Sequence, residues 1–592
     1  MPHLDRIPTR LGGPTSDALG NELRTAARSR LSTVLGVARS SRVGIYHCAV
    51  PLVLFAALFA PFAVRQNAWY EWANYLWLIQ QQALNVRSAG VPSLFIHTHP
   101  GGVFYPWFAF YGASLWGLSA YLAIALASAW LAFLVVIAAS FAAAYTGAWW
   151  LSRQAGLSRV EAHIPAVVVV ASPYIFVANL YGRGDWAEAT ALGFLPLVFA
   201  GAVATATGRR PRLGATAVFI GSAVIAASHN ITLLWGTAYC LAIAVILLAG
   251  AHGTRALPAG RSLAAIAGAA LLGVLLSAWF LVPDIVYAHE TRIYGVAPSL
   301  ITRLSAFDQL RVIFWPWPVI PRGAQGTMRL QAPVYPLLWA IFALAFAARS
   351  LGPMGRRWAA GIGGLSVVTV ALLVHDQTWT HFPLLVQSIQ FPLRLHSYLV
   401  LLVAGLVLLG LRGTRGLQRG RAWLVAGVLA AGGQAALTIG VAWTTQPSPH
   451  VRVDAVSPTV VPVSFPTGQQ QQFRLPTKPH VNTPRMTVAI SPRSAQTGVG
   501  VATRPDVTAG AKFDTNIVAS PLVHVSGTVS PIGRDADGQV VVVARAAGIM
   551  RIQASAADPW PVVVGDGLSL LGLALAAGVG LWWYWPRRRA AR

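Results

Sequence analysis

Acidic side chains are scarce in this 592-residue chain: 18 Asp and Glu stand against 44 Lys and Arg, and only 10% of residues carry charge. Lysine is nearly missing as well, occurring only at Lys478 and Lys512. So little charge, with 55% hydrophobic residues and a mean hydropathy of +0.57, excludes an ordinary soluble domain and fits a polytopic membrane protein. The two cysteines, Cys48 and Cys240, both lie in apolar runs, which excludes a disulfide framework and a cysteine metal site. A net charge of +26 would suit a nucleic-acid partner, but the arginines recur in short clusters between apolar spans. That is positive-inside patterning, so membrane lipids are expected as partners and nucleic acid is not.

Taken in order, residues 1–42 form a basic tail with arginines from Arg6 to Arg42, read as disordered and cytosolic ahead of a signal anchor. Residues 43–443 form a transmembrane domain. Its first span is 43–64, followed by an aromatic-rich outer loop at 65–120 with interfacial or re-entrant parts. Further spans are expected near 121–150, 163–181, 187–207, 214–229, 231–250, 262–285, 333–348, 359–375, 397–411 and 423–443. Residues 444–563 are rich in Pro, Ser, Thr and Gln with strand-length apolar runs such as Gln539–Ala544, and predict a small β-rich extracytoplasmic domain. Residues 564–592 supply a last span and the cytosolic Arg587-Arg-Arg589 anchor. The fold class is therefore an all-α polytopic membrane protein of about twelve transmembrane helices with both termini cytosolic. Residues 104–150 leave room for two short spans in place of one.

Between residues 43 and 443 there are eight carboxylates, and on this topology all but Glu161 face outward. An outer active site accounts for the bias; a plain need for polar loop residues is the alternative. The densest stretch is Tyr181-Gly-Arg-Gly-Asp-Trp-Ala-Glu188, which sets Arg183, Asp185 and Glu188 between two apolar spans. Asp185 and Glu188, three apart, share one helix face; the same spacing is that of a capping box. Capping leaves Arg183 without a task.

Several stretches, in order, resemble the bacterial membrane proteins labelled 6-pyruvoyl-tetrahydropterin synthase-related, themselves related to the YfhO-like group and to GT-C glycosyltransferases. Glu71-Trp-Ala-Asn-Tyr-Leu76 resembles that family's Asp-x-x-Phe-His-Leu segment. Gly101-Gly-Val-Phe-Tyr-Pro106 resembles its Gly-Tyr-Pro stretch. Tyr181–Glu188 is similar to its Tyr-x-Arg-Gly-x-x-Ala-Glu motif, and Ser228-His-Asn230, Ala278-Trp-Phe-Leu-Val-Pro283 and Ile389-Gln-Phe-Pro-Leu-Arg394 follow. Glu71 stands where the family has Asp, and Tyr75 where it has His.

The resemblance implies a GT-C-like transmembrane domain in the bacterial cytoplasmic membrane. It also implies transfer of a sugar from a polyprenyl-phosphate donor to a cell-envelope glycan or lipid acceptor on the extracytoplasmic face. Glu71 and Asp185 are the implied catalytic carboxylates. Arg183 and Arg394 are candidate phosphate ligands, while Glu188 and His229 are candidate substrate contacts. Tyr105 and Trp107 offer ring faces for a sugar or anchor the interface. His97 and His99 are a candidate pair for a divalent metal. Two other classes stay open: a lipid or glycan transporter, and a non-catalytic scaffold for envelope assembly.

Overall fold

A computed structural model of the chain describes residues 48–61, 67–68, 70–97, 106–252, 260–288, 310–314, 332–387, 389, 392–444, 451–452, 485–486, 489–490, 500–535, 539–557 and 559–589. The chain divides into two compact units, Met1–Leu54 and Phe55–Arg592. Of the first, residues 48–54 are described, as the start of helix α1 (Cys48–Pro61).

The second unit is mostly helical with a small β region toward its C-terminal end. Its helices are α2 (Tyr70–Ala89), α3 (Ala113–Ala125), α4 (Ala129–Gln154), α5 (His163–Val170, continued by a π-helical segment, Pro173–Arg183), α6 (Trp186–Ala206), α7 (Pro211–Ser228), α8 (Asn230–Ala251), α9 (Gly260–Leu275) and α10 (Ala278–Tyr287). They continue with α11 (Val334–Ala347), α12 (Gly352–Val374), α13 (His396–Thr414), α14 (Gly420–Thr444) and α15 (Trp560–Arg589). Among the described residues, nine helices are long and apolar enough to cross a membrane, or ten if α9 and α10 form one bent span. The expected count of about twelve is not confirmed: among the described residues α11 falls short of the roughly 17 residues a spanning helix needs, and the expected first span, 43–64, is described only over α1.

Two expectations change. The outer loop at 65–120 contains a full helix, α2, with Trp77 and Leu78 fully buried beside Gln81, Gln82 and Asn85. Those polar side chains are held by the loop that follows: Gln82 Nε2 donates to Ser93 O at 2.7 Å, and Asn85 Nδ2 donates to Phe95 O at 2.9 Å. The span expected at 121–150 is divided at Ala127, whose φ of 51° ends α3; Ser128 then caps α4 by accepting Leu131 N–H at 3.2 Å.

Helix α6 is buried on nearly every side and packs between α4 and α7. Small residues permit the approach, as expected where lipid gives helices little hydrophobic drive to associate. Gly147 lies on the Pro196–Leu197 backbone and Gly193 on Ser140, whose Oγ donates to Ala189 O at 3.1 Å. A Cβ at Gly147 would overlap the Leu197 backbone nitrogen. Gly147→Ala is therefore expected to destabilise the unit by about 1–3 kcal/mol, an overpacking cost. Thermal melting in detergent measures this, and an unchanged midpoint would contradict the packing described.

Residues placed on the cytosolic side by the arginine pattern are found together. Arg415 Nε donates to Glu161 Oε1 at 2.8 Å, and Arg209 Nη1 donates to Gln154 O at 3.2 Å. The β region holds two four-stranded sheets. One has the order β4 (Ala489–Ile490), β5 (Gly500–Val507), β10 (Gly548–Ala556), β7 (Val523–Gly527); the other runs β3 (Arg485–Met486), β6 (Lys512–Val518), β9 (Gln539–Ala544), β8 (Val529–Arg534). Val507, Met550 and Ile552 of the first share a core with Phe513, Ile517 and Val542 of the second, which makes a sandwich. A further pair, β1 (Asn67–Ala68) with β2 (Val451–Arg452), ties the chain just before α2 to the chain after α14. Helix α15 begins at Trp560, four residues before the last span was expected.

Candidate functional site

The site is built around the start of α6. The π-helical segment ends at Arg183, Gly184 takes a left-handed φ of 76°, and Asp185 becomes the N-cap. π-Helical geometry is rare and frequently marks functional sites. Asp185 Oδ1 accepts Glu188 N–H at 3.0 Å, so the capping role is real. The N–H that a capping box would offer to Glu188 goes elsewhere, from Asp185 to Asn179 O at 2.7 Å. The Glu188 carboxylate turns inward instead. It accepts Tyr174 Oη–H at 3.0 Å and Arg394 Nε–H at 3.0 Å.

Arg394 lies in a 3₁₀ turn, Pro392–Leu395, directly before α13. Its Nη2 is 3.5 Å from Asp185 Oδ2, and its Nη1 donates to Ile389 O at 3.0 Å. All three guanidinium nitrogens thus face protein acceptors, which makes Arg394 a clamp on the two acids. Arg394 is 6% exposed, Asp185 3%, Glu188 1% and His229 0%, so the charges are held by each other and not by water.

His229 arrives from the α7–α8 junction. Its Nδ1 accepts Thr232 N–H at 3.2 Å as the N-cap of α8 and lies 2.7 Å from Thr232 Oγ1. The next residue, Asn230, donates through Nδ2 to Asp284 Oδ2 at 2.5 Å and to Phe110 O at 3.3 Å. Tyr75 and Tyr111 each place a hydroxyl 3.4 Å from Asp185 Oδ1. Around them, Trp116 stacks on Tyr75 with centroids 5.1 Å apart, and Tyr111 meets His229 edge-on at 6.0 Å.

Among the described residues, Asp185, Glu188 and His229 form one group whose ligand atoms all lie within 4.8 Å of one another. By type and spacing they suit a divalent ion. The same carboxylates are already paired with Arg394. An ion there would share these carboxylates with the guanidinium or displace it. The pair first suggested for a metal lies apart from this: His97 Nδ1 is 3.0 Å from Asn85 Oδ1, where burial lowers the pKa of the ring. His99 is outside the described residues.

The structure brings together Asp185, Glu188, His229 and Arg394, which lie up to 209 positions apart in sequence, from 185 to 394. Trp107 is buried with its ring centroid 6.3 Å from that of Tyr111, at the edge of the same aromatic wall. Glu71 sits on α2 one turn before Tyr75, on the same helix face; its side chain, that of Arg183, and Tyr105 are outside the described residues. Sequence reasoning missed Tyr111 and Tyr174, which carry no local signal because each acts on an acid from a different element. Tyr75 was visible as the residue standing where the resembled family has histidine.

No protein-family model, no curated protein and no solved structure matches this chain. What fold and site define is a class: a helical chain with apolar helices long enough to cross a membrane and a buried carboxylate–guanidinium–imidazole cluster lined by tyrosines.

Proposed function

We propose that the chain is a membrane glycosyltransferase. It moves a sugar from a polyprenyl-phosphate donor to a cell-envelope glycan or lipid acceptor on the extracytoplasmic face of the bacterial cytoplasmic membrane. The observation that carries this reading is the buried pairing of Asp185 and Glu188 with Arg394, beside tyrosine hydroxyls and ring faces. Sugar transfer needs this mixture: acceptors for hydroxyl groups, flat apolar surface for a pyranose face, and fixed charge near the anomeric carbon.

In the reaction the acceptor oxygen forms a bond to the anomeric carbon, the bond from that carbon to the phosphate oxygen breaks, and the lipid phosphate leaves with the electron pair. The acceptor proton passes to a carboxylate. Glu71, one turn from Tyr75 on α2, is the candidate base. Asp185 orients the acceptor through its carboxylate and the adjacent Tyr75 and Tyr111 hydroxyls. Arg183, at the end of the π-helical segment, is the candidate partner of the phosphate. Arg394 holds the two acids in register.

Membranes containing the protein, supplied with polyprenyl-phosphate sugars, test this. Glu71→Gln is expected to lower transfer by about 10²- to 10⁴-fold, the usual worth of a general base. Arg183→Ala is expected to raise the donor concentration needed. Wild-type transfer by both variants would contradict the assignment.

One observation favours a second reading, a lipid or glycan transporter: transporters are built on interrupted helices, and α9 and α10 are one such pair. Uptake of a labelled lipid-linked sugar into vesicles, with no covalent product, would support that reading over the enzyme.

A further inference from the structure

Helices α9 and α10 meet at a bend of 81°. In an unbroken helix Trp279 N–H would donate to Leu275 C=O, four residues back. At the bend both groups turn to a single atom of another helix. Ser569 Oγ of α15 accepts Trp279 N–H at 2.9 Å and donates its own proton to Leu275 O at 3.0 Å. The hydroxyl has taken the place of one rung of the ladder.

Two physical requirements meet here. Backbone groups released by a break inside a bilayer have no water to bond to, so protein must supply the partner. A side chain inserted between i and i−4 is also one of the few causes of a sharp helix bend. The α15 surface is shaped for this contact. Gly565 and Gly572, four before and three after Ser569, fall on the same face. A Cβ at Gly565 would sit 2.6 Å from Ala278 O, and one at Gly572 would sit 3.0 Å from Leu275 Cβ.

The short arm beyond the bend reaches the site. Trp279 Nε1 donates to Ser114 Oγ at 2.8 Å, three residues after Tyr111. Asp284 accepts the Asn230 amide beside His229. We infer that Ser569 is a positioning residue: the last helix sets the bend between α9 and α10, and through it fixes the arm that braces the His229–Asn230 wall. Strand β10 ends at Ala556 and α15 starts at Trp560, so residues 557–559 alone separate the sandwich from the helix that holds the bend. The inference does not depend on what the site transfers or binds.

A distance measurement tests it. Spin labels at Leu263 and Ile285, 43% and 73% exposed, straddle the bend once Cys48 and Cys240 are replaced by alanine in the full-length protein. At 1.5 Å per residue, their Cα atoms are about 26 Å apart across an 81° bend and about 33 Å apart along a straight helix. Ser569→Ala is expected to shift or broaden the distribution toward the longer distance by several ångströms. Ser569→Thr, which keeps the hydroxyl, should retain the short distance. Gly565→Ala, which pushes α15 off the bend, should reproduce the alanine result. If Ser569→Ala does not accumulate, normal accumulation of Ser569→Thr with the short distance supports the inference. An unchanged distribution in Ser569→Ala, or a Ser569→Thr variant as impaired as the alanine variant, overturns it.

Discussion

Arg394→Ala is expected to abolish accumulation of folded protein, or to lower its melting temperature further than any other single change in the site. The substitution leaves Asp185 and Glu188 buried without their counter-charge. Removing one partner from a buried ion pair costs about 3–5 kcal/mol, a large share of the 5–15 kcal/mol typical of a folded domain. Arg394→Lys should recover little of it. One ammonium cannot face Glu188, Asp185 and the Ile389 carbonyl at once as the planar fork does. The triple change Arg394→Met, Glu188→Gln, Asp185→Asn is expected to fold better than Arg394→Ala, because no uncompensated charge is left inside. Melting followed by size-exclusion fluorescence in detergent ranks the three. If Arg394→Ala melts with the wild type, the guanidinium does not clamp the acids.

Asp185→Asn should separate two roles that one residue holds. Asparagine caps a helix as well as aspartate does, so the bond from Glu188 N–H survives and α6 keeps its start. What disappears is the charge facing Arg394 Nη2 at 3.5 Å and the acceptor strength offered to Tyr75 and Tyr111. We expect a modest drop in melting temperature together with a loss of sugar transfer on the order of 10²-fold or more. Asp185→Ala, which removes the cap as well, adds about 1 kcal/mol of instability to the same loss of transfer. Equal activity in Asp185→Asn and wild type would reduce Asp185 to a cap.

Much of the helical layout was legible because apolar runs bounded by arginines leave few alternatives. Helix α6 runs Trp186–Ala206, where hydropathy placed it at 187–207. The β region was legible from runs such as Gln539–Ala544, a strand in the structure. The bend at Ser277 was not: Leu275-Leu-Ser-Ala-Trp279 reads as a continuous apolar span, and its interruption depends on Ser569, 294 positions beyond Leu275. Burial of α2 was hidden for a related reason. The segment read as interfacial because the carbonyls of Ser93 and Phe95, which satisfy Gln82 and Asn85, belong to another stretch of chain.

In the site, Asp185, Glu188, His229 and Arg394 stood out in sequence as rare charged or polar residues at span ends. Their grouping did not, since it requires three helix junctions to converge. In sequence the task of Arg394 was open between phosphate and lipid headgroup. Only the positions of Glu188, Asp185 and Ile389 O show where its nitrogens point.

The most direct measurement is transfer by purified protein in lipid nanodiscs, with polyprenyl-phosphate sugars as donors and an envelope glycan extract as acceptor, comparing wild type with Asp185→Asn. The account predicts covalent transfer by the wild type and a loss on the order of 10²-fold in Asp185→Asn, with melting temperatures close together. No transfer by well-folded wild-type protein from any donor tried, or equal transfer by the two proteins, would contradict it.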